Sequence, residues 1–383
     1  MNNKRNIYLM NLIVFLQGFV FYAPIATIFR EARGISLSQI FLIESISMIL
    51  IILFEIPWGV FADKFGYKKT LVMSNLIFFI SKIIFFKAHS FWMFLFERIL
   101  LSISISGLSG CDSALIYLSI NKGDNSERIF ARYGWFSTIG FLLSSVMSTF
   151  IINISIDSAA YYTIIPYGLA FLASLFLKDI KSEIKERENI KESFKIVLNN
   201  KNIIVFIFSL ALITEVVQSV TVFLDQGQYI KSGIDIKYFG ILLVIIQIMR
   251  LISVKSYKLS NKLGQNKSIN FLMGLIFLAC LFLIFIDSPI GSVLCIGIAA
   301  TSMALIEPMG VDIKNKSISS ENRATILSIY SMLGSIISAV INPIIGFASN
   351  SSLENGLIIC SLISLVSIIL MRYFIRVSKE KVN

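Results

Sequence analysis

Ten ionisable side chains lie inside apolar sequence: Glu44, Glu55, Lys82, Glu97, Arg98, Asp112, Glu215, Arg250, Glu307 and Asp312. A charge at the centre of a bilayer costs roughly 2.5–3.5 kcal/mol on insertion scales, so each needs a partner or a wet cavity. Carboxylates in such places can take up and release protons. Glu215, in Thr214-Glu-Val-Val-Gln218, falls near the middle of its run and is the first candidate proton carrier. Glu307 is the second, because Pro308 beside it frees backbone groups. Asp112 is a third, and Arg98 could supply a fixed positive charge that times proton release or form a static pair with Glu97 or Glu44. Arg250 could pair with an acid or receive an anionic substrate. Every one of these carboxylates could instead serve only as a hydrogen-bond partner for a neighbouring helix.

Other chemistries find little support. The one histidine, His89, lies in a short loop, and Cys111, Cys280, Cys295 and Cys360 all fall in apolar runs. No metal-ligand or disulfide spacing is present. Neither metal nor cofactor is expected, and no cluster of catalytic groups points to an enzyme. A phosphate-cradling Gly-x-x-x-x-Gly-Lys-Ser/Thr loop is missing, which argues against an ATP-driven pump.

The elements that must position these groups are long apolar helices. The chain has 383 residues, 56% hydrophobic and 15% charged, a balance that marks a polytopic membrane protein. Runs long enough to cross ~30 Å of hydrocarbon number twelve, at about 7–29, 37–62, 70–88, 91–119, 133–153, 159–177, 202–224, 235–257, 268–287, 290–313, 324–349 and 353–374. The first follows Lys4 and Arg5, is too long for a signal peptide and leads straight into another run. An all-α protein follows, with a six-helix bundle over 1–177, a charged linker over 178–201 and a second six-helix bundle over 202–383. Lysines and arginines crowd the loops on one face. The opposite loops hold only Arg30, Arg33, Lys87, Lys231 and Lys237, which puts both termini in the cytoplasm. The net charge of +11 is thereby explained by topology, without nucleic acid.

The loop after the second run reads Gly59-Val-Phe-Ala-Asp63-Lys64-Phe-Gly66-Tyr-Lys68-Lys69. Gly, Asp, a base, Gly and a basic pair in this order closely resemble the loop between helices two and three of the major facilitator superfamily of secondary transporters. The resemblance implies two pseudo-symmetric bundles that rock around a central cavity, usually in a monomer. It gives Asp63 a gating role, as an acid that locks the bundles together on the cytoplasmic side. The N-terminus of the eleventh run, with Ser319, Ser320 and Arg323, offers it amide dipoles and a guanidinium.

An internal repeat agrees with two bundles. Ala62–Thr70 aligns with Ser260–Ser268 at an offset of 198, with Asp63 replaced by Asn261. Gly110-Cys-Asp112 matches Gly310-Val-Asp312, and Glu127-Arg128 matches Asn322-Arg323. The same offset pairs Gln17 with Glu215, in the first and seventh helices that line the cavity of the superfamily. Gln17, Tyr117, Gln218 and Arg250 are therefore cavity candidates.

The run Gly110-Cys-Asp-Ser-Ala-Leu-Ile-Tyr117 resembles Gly-x-Asp-x-Ala-Leu-x-Tyr of a bacterial efflux-like branch, with Leu118 where an acid often stands. In span four, Arg98 matches a frequent Arg, but Leu101-Ser102 replaces its Gln-Gly. Span five keeps Gly134 and Gly140 and lacks the proline of the proton-coupled drug antiporters. The resemblance implies a small-molecule substrate and protons as partners in a cytoplasmic membrane. Proton-coupled efflux of amphipathic or drug-like compounds is the first expectation, and uptake of a small polar nutrient the alternative.

Overall fold

The computed structural model describes residues 4–121, 124–180, 190–318 and 323–380. Every regular element among them is helical. Among the described residues, eleven helical stretches are long and apolar enough to cross a membrane, beginning with Leu37–Phe65, Tyr67–Lys87, Phe91–Leu118, Ser126–Ile152 and Ile156–Leu175. Lys201–Phe223, Ile236–Leu263, Gln265–Phe285, Pro289–Lys316, Thr325–Ser351 and Leu353–Val377 complete them as spans seven to twelve. The expected first span is present but interrupted. It is helical over Lys4–Gln17, leaves the helix at 18–22, and resumes at Ala26–Glu31. Of the linker, 181–189 lie outside the described residues, and Ile190–Asn199 is helical.

The chain divides into two compact units. The first holds 1–35, 46–185 and 236–244; the second holds 36–45, 186–235 and 245–383. Each unit thus takes the beginning of one span from the other half of the sequence. In the first unit Gly240 of span eight meets span five so closely that a Cβ there would lie 2.1 Å from the Ser145 carbonyl. In the second, a Cβ on Gly346 of span eleven would lie 2.5 Å from that of Phe41 in span two.

Lipid tails are as apolar as leucine, so helices in a bilayer associate through close backbone approach and hydrogen bonds between hydroxyls and carbonyls. Both devices are present. Span one crosses span five at Gly18 and Gly140, where an added Cβ on Gly140 would lie 2.3 Å from the Phe15 carbonyl oxygen. Ser104 donates to the Ser74 carbonyl at 2.8 Å, and Ser209 to the Ser367 carbonyl at 2.8 Å.

Each unit is also fastened at one rim by a single base. Arg33 donates to the carbonyls of Phe86 at 2.5 Å and Ala88 at 2.9 Å, and pairs with Asp157 at 2.7 Å. Lys231 donates to the Ile284 carbonyl at 3.2 Å and pairs with Glu354 at 2.9 Å and Asp287 at 3.1 Å. Arg33 and Lys231 are 198 positions apart, as are Phe86 and Ile284. Burial works against the charged form of Lys231, but its hydrogen bonds to Glu354 and Asp287 prevail and hold its pKa above the ordinary lysine value. Bonds to a charged, enclosed donor contribute about 1.5–3 kcal/mol. Arg33→Gln should therefore lower the thermal unfolding midpoint of the purified protein clearly. Lys231→Gln should lower it less, since the Lys231 side chain is 26% exposed against 8% for Arg33.

Candidate functional site

The two helices expected to line the cavity share an irregularity at one register. Span one loses its helix directly after Gln17. Its freed backbone groups are taken up by spans five and six. The Gln17 carbonyl accepts from the Tyr167 hydroxyl at 2.8 Å, and the Gly18 carbonyl from Ser144 at 3.1 Å. The Phe21 N–H donates to Thr163 at 3.0 Å. Span seven is regular to Gln218 and then widens into a π-helical turn over Ser219–Phe223. Single π turns are frequent at functional sites, and interrupted helices at corresponding places in two halves typically form the binding sites of transporters.

Glu215 lies one turn before that widening and is fully buried. Neither carboxylate oxygen makes a hydrogen bond of good geometry, although Ser338 and Asn342 of span eleven lie beside it. Glu44 of span two is within electrostatic reach, in the same unit. A carboxylate enclosed this way changes the energy of its surroundings when it gains or loses a proton. Gln17, its counterpart, is half-buried and donates to the Asn75 side chain at 2.9 Å. Gln218, one turn further along, is half-buried at the mouth of the π turn.

The remaining candidates are dispersed. Asp112 is occupied within its own unit: one oxygen accepts from the backbone and hydroxyl of Ser113, the other from the Tyr133 hydroxyl at 3.1 Å. Tyr117 is 65% exposed. Glu307 is exposed, so it is not enclosed as Glu215 is. Asp312 accepts from Gln265 at 2.9 Å and pairs with Lys316 at 2.6 Å. Arg98 is half-buried, beside the fully buried Glu97. Arg250 is half-buried where span eight passes from an α-helix into a 3-10 turn, Leu251–Lys255.

In the loop motif, Gly66 has φ 91°, and Gly264 in the second copy has φ 81°. Both open the following helix, so the degenerate repeat keeps the residue that its backbone requires. Gly66 also abuts the Asp179 carboxylate, where a Cβ would lie 2.8 Å from one oxygen. Asp63, Lys64 and Lys69 are exposed, Lys68 is half-buried, and Gly59 has open space around it. Ser319 and Ser320 lie outside the described residues, as does the Arg323 side chain. Gly66→Ala would place a side chain in a backbone region worth about 1–3 kcal/mol of strain. It should lower both the unfolding midpoint and transport, whereas Gly59→Ala should leave the midpoint unchanged.

The ring cage around Lys82 and the polar neighbours of Glu215 carry no local sequence signal. Lys82 is caged by the rings of Tyr22, Phe78 and Tyr167 and donates to the Tyr22 hydroxyl at 2.9 Å. Ser338 and Asn342 are single polar residues in an apolar run. Their spacing of four, which puts both on one helix face, is the only hint.

A model of the Major Facilitator Superfamily matches residues 7–341. The chain belongs to this superfamily. It is 24% identical over 368 residues to an uncharacterized transporter of Buchnera aphidicola subsp. Baizongia pistaciae, covering 90% of each chain. Among solved structures it resembles the nucleoside transporter NupG, with a TM-score of 0.80 and 15% identity, over 98% of this chain and 99% of the other. A bacterial homolog of the human lysosomal transporter Spinster gives 0.76 at 13% identity, over 98% of both chains. At such identities the likeness is one of fold. The superfamily member is a multi-pass membrane transporter rather than an enzyme.

Proposed function

We propose that this superfamily member is a proton-coupled secondary transporter for a small polar solute, with Glu215 as the proton carrier. The observation that carries the reading is the enclosed Glu215 carboxylate, without a well-made hydrogen bond, beside a π turn in span seven. A structural carboxylate would be expected to have its oxygens satisfied. A carrier must instead exchange its proton with water when the cavity opens. The half-buried Arg250 and Gln218 supply polar groups for a solute, and the nucleoside transporter among the structural neighbours favours a polar one. The protein would work as a monomer with both termini in the cytoplasm, the bases of its loops holding it in that orientation.

The second reading is efflux of amphipathic compounds, favoured by the Gly110–Tyr117 run in span four. It is weakened because Asp112, the acid of that run, is engaged by Ser113 and Tyr133. Purified protein in liposomes with an internal pH dye separates the two. Proton flux on adding a nucleoside or sugar supports uptake, and flux provoked only by a cationic dye supports efflux. No proton flux with any compound in either orientation would remove proton coupling altogether.

A further inference from the structure

The first unit carries a recess that the transport reading does not use. It lies between the start of span one and the start of span five and has a volume of about 990 Å³. Lys4, Arg128 and Arg132 line it with Tyr8, Trp135 and Phe136. Asp124 is the one acid in the lining and is tied to Lys4 at 3.4 Å. Arg132 lies over the Tyr8 and Phe136 rings at 5.9 and 5.5 Å. Neither Arg128 nor Arg132 has a carboxylate partner among the described residues. Three bases against one acid leave the recess cationic.

The face on which it lies identifies the occupant. Arg128, Arg132 and Trp135 recur at helical spacing, and the same ridge of span five continues through Leu143, Val146 and Phe150. Those three apolar side chains are 46%, 42% and 69% exposed. The opposite sides of the helix are taken, by Gly18 of span one at Gly140 and by Gly240 of span eight at Ser145. An exposed apolar stripe on a membrane span faces lipid tails, so the recess at its end lies at headgroup level. Exposed Trp135 and Tyr8 fit that level, where amphipathic rings collect.

We infer that this recess binds the phosphate headgroup of an anionic phospholipid, held by Arg128, Arg132 and Lys4, with an acyl chain along the Leu143–Phe150 ridge. Basic pockets between spans are the expected form of such sites. A soluble phosphate would use the same cations, but it would not need the ridge.

The test uses full-length protein in detergent, with bound lipid counted by native mass spectrometry. Phosphatidylglycerol should be retained in preference to phosphatidylcholine. Arg128→Gln/Arg132→Gln should weaken its retention by roughly tenfold or more, while Arg128→Lys/Arg132→Lys should keep most of it. If the double glutamine variant is too unstable to purify, Lys4→Gln gives the same comparison from an exposed position, with a smaller loss. Equal retention of both lipids, or undiminished retention by the glutamine variants, overturns the inference. So does displacement of the lipid by millimolar inorganic phosphate, which would make this a soluble-anion site.

Discussion

Glu215→Gln is expected to abolish proton-coupled accumulation in liposomes while leaving solute exchange across the membrane intact. Glutamine keeps the shape and hydrogen-bonding capacity of a protonated glutamate, so the bundle should still fold and rock. It cannot release a proton. The variant should therefore run solute in both directions down its own gradient and ignore an imposed pH gradient. The expected size is complete loss of gradient-driven uptake, read against counterflow of labelled solute that persists at a similar rate. Persistent pH-driven accumulation would exclude Glu215 as the carrier and turn attention to Glu44, its charged neighbour in the same unit. Loss of counterflow as well would point to a structural role instead.

The second large effect is expected at the crossing of spans one and five. Alanine at Gly140 would put its Cβ 2.3 Å from the Phe15 carbonyl oxygen, which is backbone and has no flexible end to yield. The helices would have to separate, and overpacking of this kind typically costs about 1–3 kcal/mol or more. That separation would also displace the break after Gln17, since Ser144 of span five holds the Gly18 carbonyl. Gly140→Ala is therefore expected to lower the unfolding midpoint by several degrees and transport by more than its loss of folded protein explains. Gly134→Ala, where the surrounding space is open, is the matched control and should behave as the unaltered protein. An unchanged midpoint for Gly140→Ala would show that the crossing is looser than described.

What could be read from the chain and what could not divide along physical lines. The long spans were legible because hydrocarbon thickness sets their length and apolar residues fill it. Span four breaks at 109–110, and the first misled most in form: 7–29 reads as one continuous run, yet it breaks at 18–22. The cause is tertiary, in the close approach of Gly18 to Gly140 far along the chain and in the hydroxyls of Ser144, Thr163 and Tyr167 that accept or supply its freed backbone bonds. Nothing local to Gly18 reveals those partners. Glu215 stood out as a lone acid in an oily run, but Ser338 and Asn342 beside it did not, since single serines and asparagines are common in membrane helices. In the loop motif, the demand for glycine at 66 was visible in advance. The contribution of Asp179 was not, because its carboxylate arrives from the far end of span six.

The rim fasteners have one more implication, for how kinship between the halves should be measured. Arg33 and Lys231 differ in residue type, as do Asp157 and Glu354, and the carbonyls they hold belong to Phe86 and Ile284. A comparison letter by letter would score these places as unrelated. Yet each does one task at one address: a cation at the end of the first or seventh helix stitches the third and sixth, or ninth and twelfth, to it. The two halves here share an assignment of duties while differing in vocabulary. Correspondence between halves of such a chain is better traced through what a position holds than through what it is.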